Sequence, residues 1–451
     1  MRYSVPDKIS TLSNIFKENG FSLYLVGGAV RDYVLGKPNH DYDFTTDAEP
    51  MEVKSMFRRT IDTGIKHGTV TVLFKGESFE ITTSRTEGEY KDKRHPESVS
   101  FVKSLEEDLK RRDFTINALA VDLSTGEIID YHKGLEDLDN KTIRAIGKPE
   151  ERFEEDALRM LRACRFSSKL DFRIEDETLS AISQLHRNVL AVSEERIKEE
   201  LFKLIDGQNP TLGLEEMRKT GLMKDILPEL DACYGIQQDG FHNEDVYTHL
   251  LLALKRSQKM NYPIEVKVAS LFHDIGKPST KKNGKDHFTY YGHEFESEKL
   301  ANNILTRLKA SNQEKKDILT LIRNHMFSYT PDWTSAAVRR FIKRVGACYI
   351  DRLFMLRDSD LAATTGPCPD GRESIKKLRA RIEEELESNN ALTLKDLVIN
   401  GNDLKSIGIT EGKEIGKTLS ELMERVIDDP SLNDKEKLLA LASSLSQDQG
   451  K

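Results

Sequence analysis

Residues 24–44 read YLVGGAVRDYVLGKPNHDYDF. The apolar run LYLV has the pattern of a short β-strand and ends in the pair Gly27 and Gly28; a helical stretch carrying Arg31 then leads back to HDYDF, a second strand with Asp41 and Asp43. Side chains at i and i+2 of a strand project from one face, so the two carboxylates converge as the oxygen ligands of a divalent cation must. Glycines at a strand-to-helix turn allow a phosphate to approach the N–H groups that open the helix. The stretch contains neither G-x-G-x-x-G nor G-x-x-x-x-G-K-[ST], which removes the dinucleotide-binding and P-loop readings. Strand, glycine turn, helix and acid-bearing strand together predict an α+β head suited to metal-assisted nucleotidyl transfer.

Working outward, FSLYLVGG, YDFTTD, GTVTVLF and SFEITTS read as strands through about residue 145. Beyond TIRAIGKPEERF, punctuated by Gly147 and Pro149, helical periodicity takes over in EEDALRMLRACRF, ERIKEELFKLI and GLEEMRKTGLMKDILPEL. We divide the chain into a head (1–145), a helical neck (146–232), a histidine-bearing helical segment (233–365) and a helical tail (366–451). Of the 451 residues 37% are hydrophobic and 32% charged, which fits a soluble helix-rich protein. The N-terminus MRYSVPDKIS lacks the pattern of an export signal and no apolar run approaches a membrane span, so the expected location is the cytosol, with no membrane partner. Cys164, Cys233, Cys348 and Cys368 form no CxxC pair and read as reduced, individually buried thiols. A net charge of −8 leaves room for local basic faces that bind nucleic acid. No motif points to a protein partner.

The ordered series GGAVRDYVLG with DYD, TGIKHGTVTV, LEEDLKRRDFTINALA, GLEDLDNKTIRAIG, RFEEDALRMLRACRF and EERIKEEL resembles the tRNA nucleotidyltransferases that build the 3′-terminal CCA, in their bacterial class related to poly(A) polymerase. The resemblance covers about residues 22–205. It implies a polymerase-β-like head in which Asp41 and Asp43 hold Mg²⁺, with tRNA, CTP and ATP as partners. Glu80, in the strand FEITT, is a candidate third carboxylate that reads almost equally well as a surface strand residue.

Glu155, Asp156 and Arg159 in EEDALRMLRACRF fall within one helical turn, where spacing alone favours an ordinary intrahelical ion pair. The resemblance makes this segment the amino-acid template. Cytosine and adenine each present an amino donor beside a ring-nitrogen acceptor, so Asp156 would accept and Arg159 would donate. Uracil or guanine would set like groups against like, at about 1–3 kcal/mol each. Arg162 and Arg165 continue the guanidinium line toward phosphates or a base. By the same resemblance Arg112 and Asp113 of RRDFTINALA recognise the ribose. The polar stretch SRTEGEYKDKRHPESVSFVKSLEEDLK reads as a mobile loop, and in this family its presence accompanies addition of AMP. A complete CCA adder is therefore expected, ahead of an A-adding-only enzyme. TGIKHGTVTV stands where a poly(A) polymerase carries a basic signature, which disfavours that relative.

A second constellation comprises His249 in VYTHLLLAL, His273 and Asp274 in ASLFHDIGKP, His293 in YYGHEFES, His325 in IRNHMFS and an aspartate of LFMLRDSDLAA. Imidazole and carboxylate groups suit first-row divalent metals, and a buried His-Asp pair is costly to fold without a cation. The order resembles the HD phosphohydrolase superfamily. That resemblance implies a divalent transition metal held by His249, His273, Asp274 and Asp360, with Asp358 a close rival for the last place. His293 and His325 would bind a second metal or the scissile phosphate. The implied activity is removal of a phosphate or opening of a 2′,3′-cyclic phosphate. In AAVRRFIKRVG, Arg339, Arg340, Lys343 and Arg344 share one helical face that suits an RNA backbone, although solvation is the ordinary fate of a charge run. Two rival readings remain: an HD nucleotide hydrolase with a nucleotide-sensing head, and an RNA-binding protein without turnover.

Overall fold

The computed structural model describes residues 2–38, 42–65, 68–87, 99–238, 243–284, 288–364, 369–388 and 393–448. Asp41 and Cys368 lie outside them, as does the 88–98 part of the polar stretch. The fold is α+β. It divides into two compact units, one of residues 1–231 with 307–310, the other of residues 232–306 with 311–451. The segment boundaries read from the sequence at 145/146 and 365/366 fall inside these units.

The first unit is organised by a sheet formed by β1 (Leu23–Val26), β2 (Asp43–Thr46), β3 (Thr60–Gly64), β4 (Thr69–Phe74), β5 (Glu77–Thr83), β8 (Leu119–Asp122) and β9 (Glu127–Asp130), in the order β3-β4-β5-β2-β1-β8-β9. The intervening strands β6 (Arg85–Glu87) and β7 (Val99–Phe101) pair with each other, so the arms of the stretch read as a mobile loop are a hairpin. Every neighbour in the main sheet is antiparallel except β2 with β5. Leu25 and Val26 of β1 and Val70 and Val72 of β4 are fully buried, as the apolar pattern of those strands requires. Helical packing takes over from Pro149: Met160, Leu161, Ala163 and Cys164 on the helix Leu158–Leu170 are completely enclosed.

In the second unit the helices Val246–Lys259, His293–Arg307 and Ile350–Ala363 carry His249, His293 and Asp360, while His273, Asp274 and His325 directly follow the ends of Ile264–Phe272 and Asn312–Asn324. A separate core of Leu404, Leu422, Met423, Val426, Leu438 and Ala442 holds the C-terminal helices together. Cys164 and Cys233 are buried as expected; Cys348 is exposed, because the short turn Ala347–Tyr349 leaves it outside the packing.

Candidate active site and candidate metal centre

Gly27 opens the helix Gly28–Val34 with φ +72°, a conformation that favours glycine. A Cβ there would lie 3.0 Å from Arg112 Nη1, so the turn also makes room for that guanidinium. Asp43 pairs with Val26, the residue before this turn, and on its other side with Glu80 through the parallel β2–β5 register. Directly opposed residues of neighbouring strands share a face, which places both exposed carboxylates side by side at the mouth of the glycine turn.

Behind the turn, Arg31 donates through Nη1 to Asn117 Oδ1 at 2.7 Å and through Nε to Asp32 at 2.8 Å. Asp113 accepts from the Phe114 backbone N–H, from Asn117 and, at 2.7 Å, from Arg162 Nη2. Burial opposes its ionisation, but the Arg162 charge and the Asn117 hydrogen bond bring its pKa down to about 2. Arg162 reaches on to Glu200, which also holds Arg165 at 2.5 Å. Burial and the neighbouring Arg162 lower Arg165 to about 10. Arg31, Arg162 and Arg165 all lie over the Phe166 ring, 5.3, 5.4 and 3.8 Å from its centre. Glu200 and Phe166 were not singled out from the sequence; their signal was that EERIKEEL and RACRF each carry a group of the opposite sign or an aromatic ring at helical spacing.

The selecting segment differs from its sequence reading. Glu155, Asp156 and Arg159 do not share one helical face, because the helix Pro149–Glu155 ends and Asp156 is extended (φ −142°, ψ 102°) before Leu158–Leu170 begins. The Asp156 side chain accepts from the Leu158 backbone N–H at 3.1 Å, a local bond that competes with helix continuation. Its partner cation is Arg196, at 2.7 Å. Arg159 pairs with Glu155 at 2.6 Å and donates to the backbone carbonyls of Arg152 and Arg111 at 3.1 Å each.

In the second unit six side chains converge. The Nε2 atoms of His249 and His273 are 3.3 Å apart, as are those of His293 and His325. Asp274 stands between the pairs: Oδ2 is 3.4 Å from both His249 and His273, while Oδ1 is 3.1 Å from His293 and 3.6 Å from His325. Asp360 Oδ1 closes the first pair at 3.3 and 3.5 Å. Asp358 points elsewhere, clamped by Arg256 at 2.8 Å and Tyr262 at 3.1 Å.

The Nδ1–H groups of His273, His293 and His325 donate to the backbone carbonyls of Ser270, Tyr290 and Ile322 at 3.0, 2.8 and 2.7 Å. These bonds select the tautomer whose Nε2 lone pair faces inward, the form that ligates a metal. Two groups could therefore each hold an ion, His249 with His273 and Asp274, and Asp274 with His293 and His325; Asp360 stands beside the first. Burial opposes ionisation of Asp274, yet Lys277, 2.6 Å away, and His273 hold its carboxyl well below the usual range. Lys277, three residues beyond Asp274 and so on the same face, was not singled out from the sequence. A cavity of about 600 Å³ opens onto the group, lined by Lys277, Tyr290, Tyr291 and Arg357 together with Asp274, His293, His325 and Asp360.

The basic helix is also corrected. Arg339 is 6% exposed and turned inward: it donates to the Ile427 and Asp428 carbonyls at 2.7 and 3.2 Å and to Glu385 at 2.8 Å, thereby capping the helix Gly412–Asp428. Arg340 pairs with Asp428 at 2.7 Å and Lys343 with Glu424 at 2.6 Å, so acids of the same unit match much of the expected RNA face. Arg344 remains exposed, over the Phe341 ring.

Residues 23–144 match the family described as "Poly A polymerase head domain", residues 171–234 "Probable RNA and SrmB- binding site of polymerase A", and residues 288–442 the family of tRNA nucleotidyltransferase domain 2. Together with the paired strand carboxylates, these matches define a nucleotidyltransferase whose class uses a divalent cation, Mg²⁺. The CCA-adding enzyme of Enterococcus faecalis is 37% identical over 450 residues, 96% of this chain and 97% of that protein, and the CCA-adding enzyme of Ligilactobacillus salivarius 37% over 457 residues, 99% and 98%. The crystal structure of the Bacillus stearothermophilus CCA-adding enzyme in complex with CTP is similar with a TM-score of 0.73 at 30% identity, covering 98% of both chains. The chain belongs to the CCA-adding enzyme family. Among the described residues no helix is long and apolar enough to cross a membrane.

Proposed function

We propose that this chain adds C, C and A to the 3′ end of tRNA from CTP and ATP without a nucleic-acid template. The observation that carries the reading is the strand register that sets Glu80 beside Asp43 where β1 enters the Gly27–Gly28 turn. Asp43 and Glu80, with Asp41 two residues from Asp43, would hold Mg²⁺. When bound, Mg²⁺ lowers the pKa of the RNA 3′-hydroxyl and neutralises charge on the triphosphate during in-line displacement of pyrophosphate. The chain's own part is positioning. Gly27 and Gly28 let the triphosphate approach the helix start, while Arg31, Arg162 and Arg165 supply positive charge beside it. Arg112 and Asp113 face the ribose, and Asp156 and Arg159 select the base. Enzymes that add only A are the alternative.

A second activity is supported by the six-ligand centre: hydrolysis of a terminal or 2′,3′-cyclic phosphate. A divalent transition metal held there would supply Lewis acidity and a more acidic water. Lys277 and Arg357 place positive charge on the cavity wall where a phosphate would sit.

The test uses tRNA ending before CCA with labelled CTP and ATP, and the same preparations offered 2′,3′-cyclic AMP. Asp43→Ala should lose incorporation by at least a hundredfold and leave cyclic-phosphate opening intact; His273→Ala should do the reverse. Undiminished incorporation in Asp43→Ala refutes the first assignment. Equal cyclic-phosphate opening in His273→Ala and the parent refutes the second.

A further inference from the structure

The residue that fixes Asp156 comes from another helix. Arg196, on Glu194–Ile205, donates through Nη2 to Asp156 Oδ2 at 2.7 Å across 40 positions of sequence. Asp156 Oδ1 accepts from the Leu158 backbone N–H. One oxygen is therefore held by a local turn and the other by a guanidinium, while each keeps a lone pair for a further donor. Arg159 has less to offer, since both its terminal nitrogens are engaged by Glu155 and by the carbonyls of Arg152 and Arg111.

Among the described residues the Arg196 fork is only half filled. Its Nη1 is closed off from solvent and has no hydrogen-bond partner among the described residues, although the side chain as a whole is 25% exposed. A guanidinium is planar and its donors are fixed relative to one another, so anchoring Nη2 on Asp156 also sets the direction of Nη1. A closed-off N–H without a partner is unfavourable, and a ligand group arriving beside Asp156 would relieve it.

We infer that Arg196 is the specificity-determining positioning residue of nucleotide selection. It holds the Asp156 carboxylate at the angle where its remaining lone pair meets the amino group of cytosine or adenine. A carboxylate left to rotate would accept less well from that amino group, and it would repel the carbonyl of uracil or guanine less consistently. This inference rests on the role proposed above for Asp156 in choosing the base.

The experiment measures kcat and KM for CTP, UTP, ATP and GTP on tRNA lacking CCA, with the full chain and its Arg196→Met, Arg196→Lys and Asp156→Ala variants. Arg196→Met should lower the CTP/UTP and ATP/GTP ratios of kcat/KM by about tenfold or more. Arg196→Lys, which keeps the charge but not the fork, should recover part of that loss. A purely structural role would slow all four nucleotides alike and leave the ratios unchanged. Parental ratios in Arg196→Met alongside lost selectivity in Asp156→Ala overturn the inference alone; parental ratios in Asp156→Ala overturn the Asp156 reading and the inference with it. Should Arg196→Met show no cooperative melting, Arg196→Lys decides, and parental selectivity there overturns the inference.

Discussion

Adding one methyl group at Gly276 should remove one of the two proposed metal positions while leaving the other. Gly276 has φ −82° and ψ −10°, an ordinary helical conformation, so alanine would suffer no backbone strain and any effect must come from packing. An ideal Cβ there lies 2.5 Å from the Ser297 backbone nitrogen, 2.7 Å from the His293 carbonyl oxygen and 2.9 Å from Ser297 Oγ. Two of these atoms are backbone of the helix His293–Arg307, so no side-chain rotation relieves the clash. Restoring normal van der Waals separation requires a shift of about 1 Å, and overpacking of this kind costs about 1–3 kcal/mol. His293 is the first residue of that helix, and its Nε2 lies 3.1 Å from Asp274 Oδ1. Metal–ligand distances tolerate about 0.2 Å, so the shift takes His293 out of ligation while His249, His273 and Asp360 keep their places. Metal content after equilibration with Mn²⁺ and gel filtration should fall from two ions per chain toward one, with the melting temperature of the metal-free chain lowered by a few degrees. Two tightly held ions in Gly276→Ala would refute the reasoning.

The remaining predictions concern burial and charge. Asp113 has a folded pKa of about 2, below the unfolded value, so its contribution is fully present above about pH 4 and is lost as pH falls through about 2. The stability advantage over Asp113→Asn, about 2 kcal/mol at neutral pH, should therefore shrink between pH 4 and pH 2 in acid-unfolding curves; a constant difference across that window would remove the assigned cause. Arg339→Met should remove the buried ion pair to Glu385 and the donors to the last carbonyls of Gly412–Asp428, at about 3 kcal/mol. Its urea midpoint should drop markedly, and an unchanged midpoint with weakened tRNA binding would instead return Arg339 to the RNA face.

What could be read from the sequence was what depends on nearby residues. The acids of DYD and the glycine turn are a few positions apart, and strand periodicity predicts Asp41 and Asp43 on one face, although of the two only Asp43 lies among the described residues. The strand Glu80 belongs to was equally visible, but its neighbour was not: β2 pairs with β5 in parallel across 37 positions, and nothing local in FEITT reports that order. The six metal-type groups stood out because their chemistry has few other uses in a core, whereas Asp358 and Asp360 lie two residues apart on one helix, about 200° around its axis. Only the packing of Ile350–Ala363 against Val246–Lys259 decides which of them turns inward.

The misread helix at Asp156 has a different cause. Phe153, Ala157, Met160, Leu161 and Cys164 keep the spacing of a single buried stripe, and all are enclosed, so the apolar pattern runs through the break without registering it. The signal lay in the aspartate itself, placed to accept the N–H two residues on and to end one helix before the next begins. Arg339 failed for the converse reason: charge spacing shows which face of a helix is basic, but not that the helix beside it ends in carbonyls needing a donor. In both cases a polar side chain assigned from the sequence to a substrate also satisfies backbone groups of its own fold. A buried helix end or break thus imposes a demand on nearby charged residues that has to be met before any of them is assigned to a substrate.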